Sequence, residues 1–118
     1  MSDSVLRTKS KEFAKDIIFL CRKLKQNGVE AALTNQLLRC GTSVGANVHE
    51  AQYAQGTKDF ISKFEIALKE CNESEYWLEL LYETNSISKT EFEDFQKKYI
   101  EIRRMLVSSV TTLKEKSK

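Results

Sequence analysis

A chain of 118 residues is long enough for one domain that buries roughly two thirds of its unfolded surface without disulfides. With 31% charged and 41% hydrophobic residues, no Pro and four Gly, the composition excludes collagen-like, low-complexity and turn-rich all-β classes and favours helices. The formal net charge of +2 is too small to announce a nucleic-acid ligand by its total, and the longest apolar run, Ile17 to Cys21, is too short for a transmembrane helix or a signal-peptide core. The expected location is the cytoplasm, with no membrane partner.

Four segments carry helical periodicity. The first, about residues 4–26, places Leu6, Phe13, Ile17, Leu20 and Leu24 on one face, and Asn27-Gly28 supplies residues that stop a helix in the left-handed region. The second, about 31–54, aligns Leu33, Leu37, Cys40, Val44, Val48 and Ala51. Gly41 and Gly45 lie inside it, so either this helix is locally weakened or a neighbouring backbone comes close. Thr57 is placed to cap the third segment, about 58–84, which gathers Phe60, Phe64, Ala67, Leu68, Cys71, Leu78 and Leu81. After a break at Thr84-Asn85-Ser86, Ser88 and Glu91 have capping-box spacing, and the fourth segment, about 89–115, brings Phe92, Phe95, Tyr99, Ile102, Leu106, Val110 and Leu113 inward. Short connections between long helices force antiparallel neighbours. The chain is therefore expected to form one all-α domain over residues 1–118, an antiparallel up-down-up-down four-helix bundle.

The third segment has a further stripe, Ile66, Glu70, Glu73, Trp77 and Leu80, well away from its core face. A solvated face does not normally hold Ile, Trp and Leu at helical period, because each forfeits roughly 1.5–3 kcal/mol of burial. The second segment repeats the spacing with Arg39, Ser43, Ala46, Glu50 and Tyr53. Arg39 opposite Glu70 and Glu73 suggests a second packing seam, either inside the bundle or between subunits. A lone bundle needs one apolar face per helix, so the stripe favours a homo-oligomer, with Arg39, Lys63 or Asn47 as partners for the carboxylates.

Charge is grouped rather than spread. Residues 1–25 carry seven basic and three acidic groups, residues 97–118 seven and two, and residues 65–83 one and six. This grouping fits pairing between packed helices or a functional basic surface. Arg7, Lys11, Lys15, Arg22 and Lys25 form a ridge on the first helix, and Lys97, Arg104 and a Lys114, Lys116, Lys118 tail add cations on the fourth. Such a ridge neutralises phosphates without reading sequence. RNA, DNA or a nucleoprotein is the partner it fits, and a bland solvated face is the alternative.

Catalytic patterns are missing. A di-metal bundle needs Glu-x-x-His on two helices, whereas His49 is the sole histidine and Glu70-Cys71-Asn72-Glu73 offers carboxylates alone. No Gly-x-Ser-x-Gly elbow occurs, and Gly41-Thr42-Ser43-Val44-Gly45 lacks the Lys-Ser/Thr ending of a P-loop. Cys21, Cys40 and Cys71 fall on apolar stripes, where thiols act as small hydrophobes, and they have no zinc-ligand spacing with His49. No enzyme activity, metal or cofactor is expected.

Two runs, Gln36 to Ala51 and Asp59 to Leu78, resemble a family of bacterial four-helix bundle proteins first described as reading frames within intervening sequences of large-subunit ribosomal RNA genes. In the first run the resemblance lies in Arg39, Ser43-Val44, Asn47-Val48 and Glu50-Ala51. In the second it lies in Asp59-Phe60, Lys63, Ile66-Ala67, Glu70, Glu73 and Trp77-Leu78. Cys40 stands where the family usually has Ser or Ala. The resemblance implies a homopentamer around a central pore, in which Arg39, Asn47, Glu50, Asp59, Lys63, Glu70, Glu73 and Trp77 form a structural or interface network. The chain is also similar to the accessory protein of diversity-generating retroelements, whose basic pentamer binds nucleic acid and a reverse transcriptase. The function expected is a non-enzymatic oligomeric scaffold that offers a basic surface to RNA, DNA or a nucleoprotein; the alternative is a protein-interaction module with no nucleic-acid role.

Overall fold

The computed structural model describes residues 2–117, with side chains from residue 4 onward, so Met1 and the tail residue Lys118 lie outside the described residues. Four helices follow in order: α1 (Ser2–Gln26), α2 (Ala31–Ala51), α3 (Thr57–Glu83) and α4 (Lys89–Lys116). Each packs against its neighbours in the cycle α1-α2-α3-α4-α1, giving a rod of 49 × 22 × 20 Å. Ion pairs report the alternating directions. Lys9 early in α1 meets Glu101 of α4 at 2.9 Å while Lys23 late in α1 meets Glu91 at 2.6 Å, and Glu65 early in α3 meets Lys114 of α4 at 2.8 Å. This is the expected all-α, up-down-up-down bundle.

The helix ends follow local chemistry. Gly28, at φ +79°, leaves α1 through a Schellman pattern in which the Val29 N–H donates to the Leu24 carbonyl at 3.0 Å. Asn85 plays the same part after α3 at φ 60°, and the Ser86 N–H reaches the Leu81 carbonyl at 2.8 Å. The capping box at α4 is formed in both directions: Glu91 N–H donates to Ser88 Oγ at 3.1 Å, and Ser88 N–H to Glu91 Oε1 at 3.3 Å.

Two expectations require correction. Thr57 is the first residue of α3 rather than its cap; Gly56 occupies the cap position and offers no side chain, while Asp59 turns back to accept from the Gln55 N–H at 3.1 Å. The second helix ends at Ala51, not near residue 54, because the N–H groups of Gln52, Tyr53 and Ala54 each reach back only three residues and tighten the chain into turns. Tyr53 therefore lies beyond the stripe it was grouped with.

The core is made by the predicted faces: Leu6, Phe13, Ile17, Leu20 and Leu24 of α1 meet Leu37, Cys40, Val44, Val48, Phe64, Ala67, Leu78, Leu81, Tyr99, Ile102 and Leu106, all buried. Ser10, Thr34 and Ser74 are buried with them. Each hydroxyl bonds a carbonyl three or four residues back, to Arg7, Ala31 and Glu70 respectively, which satisfies it without a partner helix.

Gly41 and Gly45 mark the close approach of α1, whose Ile17 side chain stands against the first and whose backbone stands against the second. A Cβ at Gly41 would stand 2.9 Å from Ile17 Cγ1 and Cγ2, and one at Gly45 would stand 3.0 Å from the Ser10 carbonyl oxygen. Ile17 is fully buried and β-branched, so it has little freedom to retreat. Gly41→Ala is expected to lose about 1 kcal/mol in urea unfolding, since an overpacking cost of about 1–3 kcal/mol is offset in part by the roughly 1 kcal/mol that Ala gains over Gly in a helix. The loss shrinks in an Ile17→Ala background, where the opposing atoms are gone; equal losses in both backgrounds contradict the close-approach account.

Candidate functional site

The contact between α1 and α2 fixes the rotation of α1 about its axis, and that rotation sorts its cations. Lys9 and Lys23 face α4, where Glu101 and Glu91 receive them. The Lys23 ammonium, together with the Ser88 backbone N–H, holds the Glu91 carboxyl below the usual carboxylate range against the opposing effect of its partial burial. From the facing side of α4, Lys98 reaches Asp16 of α1 and Asp94 of its own helix, each at 2.9 Å. Burial works against the Lys98 charge, but these two hydrogen bonds win and raise its pKa above the ordinary lysine value.

Arg7, Lys11, Lys15, Arg22 and Lys25 are all exposed along the outer flank of α1, opposite its core stripe; Arg7 and Lys11 lie on its α2 side, whereas Arg22 sits over Phe19, which lines the groove toward α4. Among the described side chains only Lys15 of these five has a carboxylate within reach, Glu12 at 3.5 Å on the same helix. Arg7 hydrogen-bonds the side-chain carbonyl of Gln52 across the seam, and Arg22 lies 5.9 Å from the ring centre of Phe19, itself 60% exposed. Lys97 and Arg104 are exposed on α4, one face of a helix that does not touch α2. The structure thus gathers the five α1 candidates on one flank and leaves the two α4 candidates apart from them.

Across the bundle, α2 and α3 build the polar seam. Arg39 Nη1 donates to Glu70 Oε2 at 2.7 Å and its Nη2 to Glu73, while the indole Nε1 of Trp77 donates to Glu73 Oε2 at 3.0 Å. Glu70 is buried and Arg39 half exposed. A carboxylate so placed needs its cation to offset lost hydration, and Arg39 supplies it from within the same chain. Ser43 and Asn47 extend the seam only locally, through an Asn47 Nδ2 bond to the Ser43 carbonyl at 2.9 Å. Asp59 is engaged in the loop before α3, and Lys63 and Glu50 have no ion-pair partner among the described side chains. Apolar surface remains beside it on α3, where Ile66 is 40% exposed and Tyr76, edge-on to Trp77, is 54% exposed; Tyr53, 70% exposed, lies against His49 instead.

The three thiols are buried, and desolvation pushes Cys21 and Cys40 up to about 11 and Cys71 to about 12, which keeps them protonated and unreactive. His49 is exposed on the α1 side of α2, away from them, and among the described residues no group of His, Cys, Asp and Glu is placed to hold a metal. No helix of the described residues is long and apolar enough to cross a membrane.

What the sequence did not reveal is the groove between α1 and α2, which Arg7 and Lys11 share with Thr8, Thr42, His49 and Gln52. The paired glycines of α2 were its one visible signal, since they announced a close neighbour without saying which helix it was.

The sequence profile of the 23S rRNA-intervening sequence protein family matches residues 2–108. A crystal structure of a protein with unknown function from the S23 ribosomal protein family of Bacteroides thetaiotaomicron is 45% identical, covering 94% of this chain and 99% of that one, with a TM-score of 0.91. No curated protein matches the chain. Neither description names an enzyme activity.

Arg39 and the Trp77 indole, in that order, lower the pKa of Glu73 below the ordinary glutamate value. The folded state therefore favours the ionised form: its stabilising contribution is present above the unfolded glutamate pKa and is lost as pH falls through the lowered folded one. Because the indole donates to this carboxylate, Trp77 fluorescence should titrate with a midpoint below about 4.3. Arg39→Met moves that midpoint upward; an unmoved midpoint rejects the coupling.

Proposed function

The chain belongs to the 23S rRNA-intervening sequence protein family, and from that premise we propose that it is a non-enzymatic scaffold that assembles with copies of itself and offers the α1 ridge to RNA, DNA or a nucleoprotein partner. The observation that carries this reading is the sorting of charge. Cations that face another helix are matched with carboxylates at 2.6–2.9 Å, as in Lys23–Glu91, Arg103–Glu75 and Lys98–Asp16. The outer face of α1 instead keeps a row of cations, of which, among the described side chains, only Lys15 has a carboxylate, the exposed Glu12 of its own helix. Exposed pairs of that kind are worth little, so the row retains most of its capacity for an external anion. A modest total of +2 is then no obstacle, because polyanion affinity follows local grouping rather than the sum.

Assembly rests on a different surface. The α2–α3 seam satisfies the charges of Arg39, Glu70 and Glu73, and what it leaves outside is Ile66 and Tyr76. Such side chains favour a covered face, which supports a homo-oligomer; a pentamer is the form implied by the family resemblance, and the cytoplasm is the compartment we assign. The same exposed residues support a second reading, a protein-interaction module that recruits a different protein through this face and has no nucleic-acid role.

One experiment separates the two: oligonucleotide binding by fluorescence anisotropy, with particle mass followed by light scattering. If all five ridge cations engage phosphates, affinity falls by about 10²–10³-fold between about 50 and about 200 mM salt, and the particle contains several copies. A multi-copy particle that ignores nucleic acid transfers the assignment to the second reading, and a single-copy particle overturns assembly.

A further inference from the structure

Beside the glycine contact, α1 and α2 diverge to leave a groove of about 520 Å³. From the geometry we infer that this groove is a phosphate-binding site, with Arg7 and Lys11 as the charged ligands and His49 on its wall; the Thr8 and Thr42 hydroxyls that also line it donate to the Ser4 and Leu38 carbonyls of their own helices. In its phosphodiester form the inference rests on the nucleic-acid reading above; the recognition chemistry does not.

Four features carry it. First, both cations come from one turn of α1 and lie on the groove wall, so their charges add over a single volume rather than along an open surface. Second, Arg7 is already held across the seam by Gln52. A guanidinium has five donors in a planar fork; one is spent on this bond, which orders the side chain while leaving donors for a phosphate. Third, among the described side chains no carboxylate lines the groove. The groove between α1 and α4 holds Lys23 and Lys98, but both are already engaged by its three carboxylates, Asp16, Glu91 and Asp94, and the larger cavity between the ends of α2 and α4 carries a single cation, Lys116. Fourth, Ala14 of α1 and Ala46 of α2 contribute only a methyl group each to the lining, which leaves the groove open between the helices. A volume of this size lies within the ordinary range for small-ligand sites, about 300–1,000 Å³, and holds a phosphate together with its ester substituents.

A phosphate could come from the backbone of a nucleic-acid strand or from a free phosphate compound. Both place the same group against the same donors, and the test distinguishes them.

His49 is the only histidine in the chain, so in the untagged full-length protein its imidazole C–H resonances form an isolated NMR reporter on the groove wall. Pyrophosphate and a short single-stranded oligonucleotide are titrated separately at low salt. Saturable movement of the His49 resonances is expected, weakened about tenfold or more by Arg7→Gln with Lys11→Gln and by less than about twofold by Lys97→Gln with Arg104→Gln on the distant face of α4. Circular dichroism checks that both variants keep their helices. Response to the oligonucleotide supports the strand as source; response to pyrophosphate alone supports the groove and removes the nucleic-acid reading. Oligonucleotide binding that survives the α1 pair but fails with the α4 pair overturns the groove while leaving nucleic-acid binding intact. Resonances that neither probe moves overturn the groove outright.

Discussion

The approach of α1 to α2 at Gly41 and Gly45 is the contact on which the rest of the structure depends. With no Cβ at either position, α2 lies against Ile17 and against the Ser10 backbone, and the rotation of α1 is set to within the width of a side chain. Every other property of α1 follows. Its apolar stripe enters the core, Lys9 and Lys23 meet the carboxylates of α4, and the face opposite the core turns its cations toward solvent. Packing density does this sorting, because a close-packed interface admits few alternative rotations.

Most of the fold was legible because it rests on local rules. Helical stripes such as Leu6–Phe13–Ile17 and Phe92–Phe95–Tyr99 appear in the core as their spacing requires, and the Ser88–Glu91 box closes as written. Misreadings arose where a local signal competes with another of equal strength. Thr57 has the chemistry of a cap, yet Gly56 takes that position and Thr57 enters the first turn. Tyr53 continues the period of Arg39 and Glu50, but three successive short-range turns end the helix before reaching it. Ser10, Thr34 and Ser74 read as polar in a linear scan and are nonetheless buried, since each hydroxyl is satisfied inside its own helix.

The candidate sites were legible in parts. Arg39, Glu70, Glu73 and Trp77 were grouped by spacing, and the structure joins them through hydrogen bonds within one chain. Helical period alone could not state this, because a stripe does not say whether its partner is a neighbouring helix or a neighbouring subunit. The α1 ridge was likewise visible as a row of charges set apart from Lys9 and Lys23, whereas the pairing of those two with carboxylates was not. That pairing needs the acidic face of α4, which is remote in sequence. His49 and Gln52 gained a role only when α2 was set against Arg7 and Lys11. Nothing in their own neighbourhood marks them.

The central claim, that packing divides the cations of this bundle into a structural set and an outward-facing set, meets its most direct test in two triple variants that remove the same charge. One carries Lys11→Gln, Arg22→Gln and Lys25→Gln; the other carries Lys9→Gln, Lys23→Gln and Lys98→Gln. Their affinities for one oligonucleotide are compared at a single low salt concentration. The account predicts a loss of about tenfold or more for the first set, and an affinity within about threefold of the parent for the second. Equal losses in the two would mean that net charge alone governs binding, and that the division drawn by the α1–α2 contact has no functional meaning.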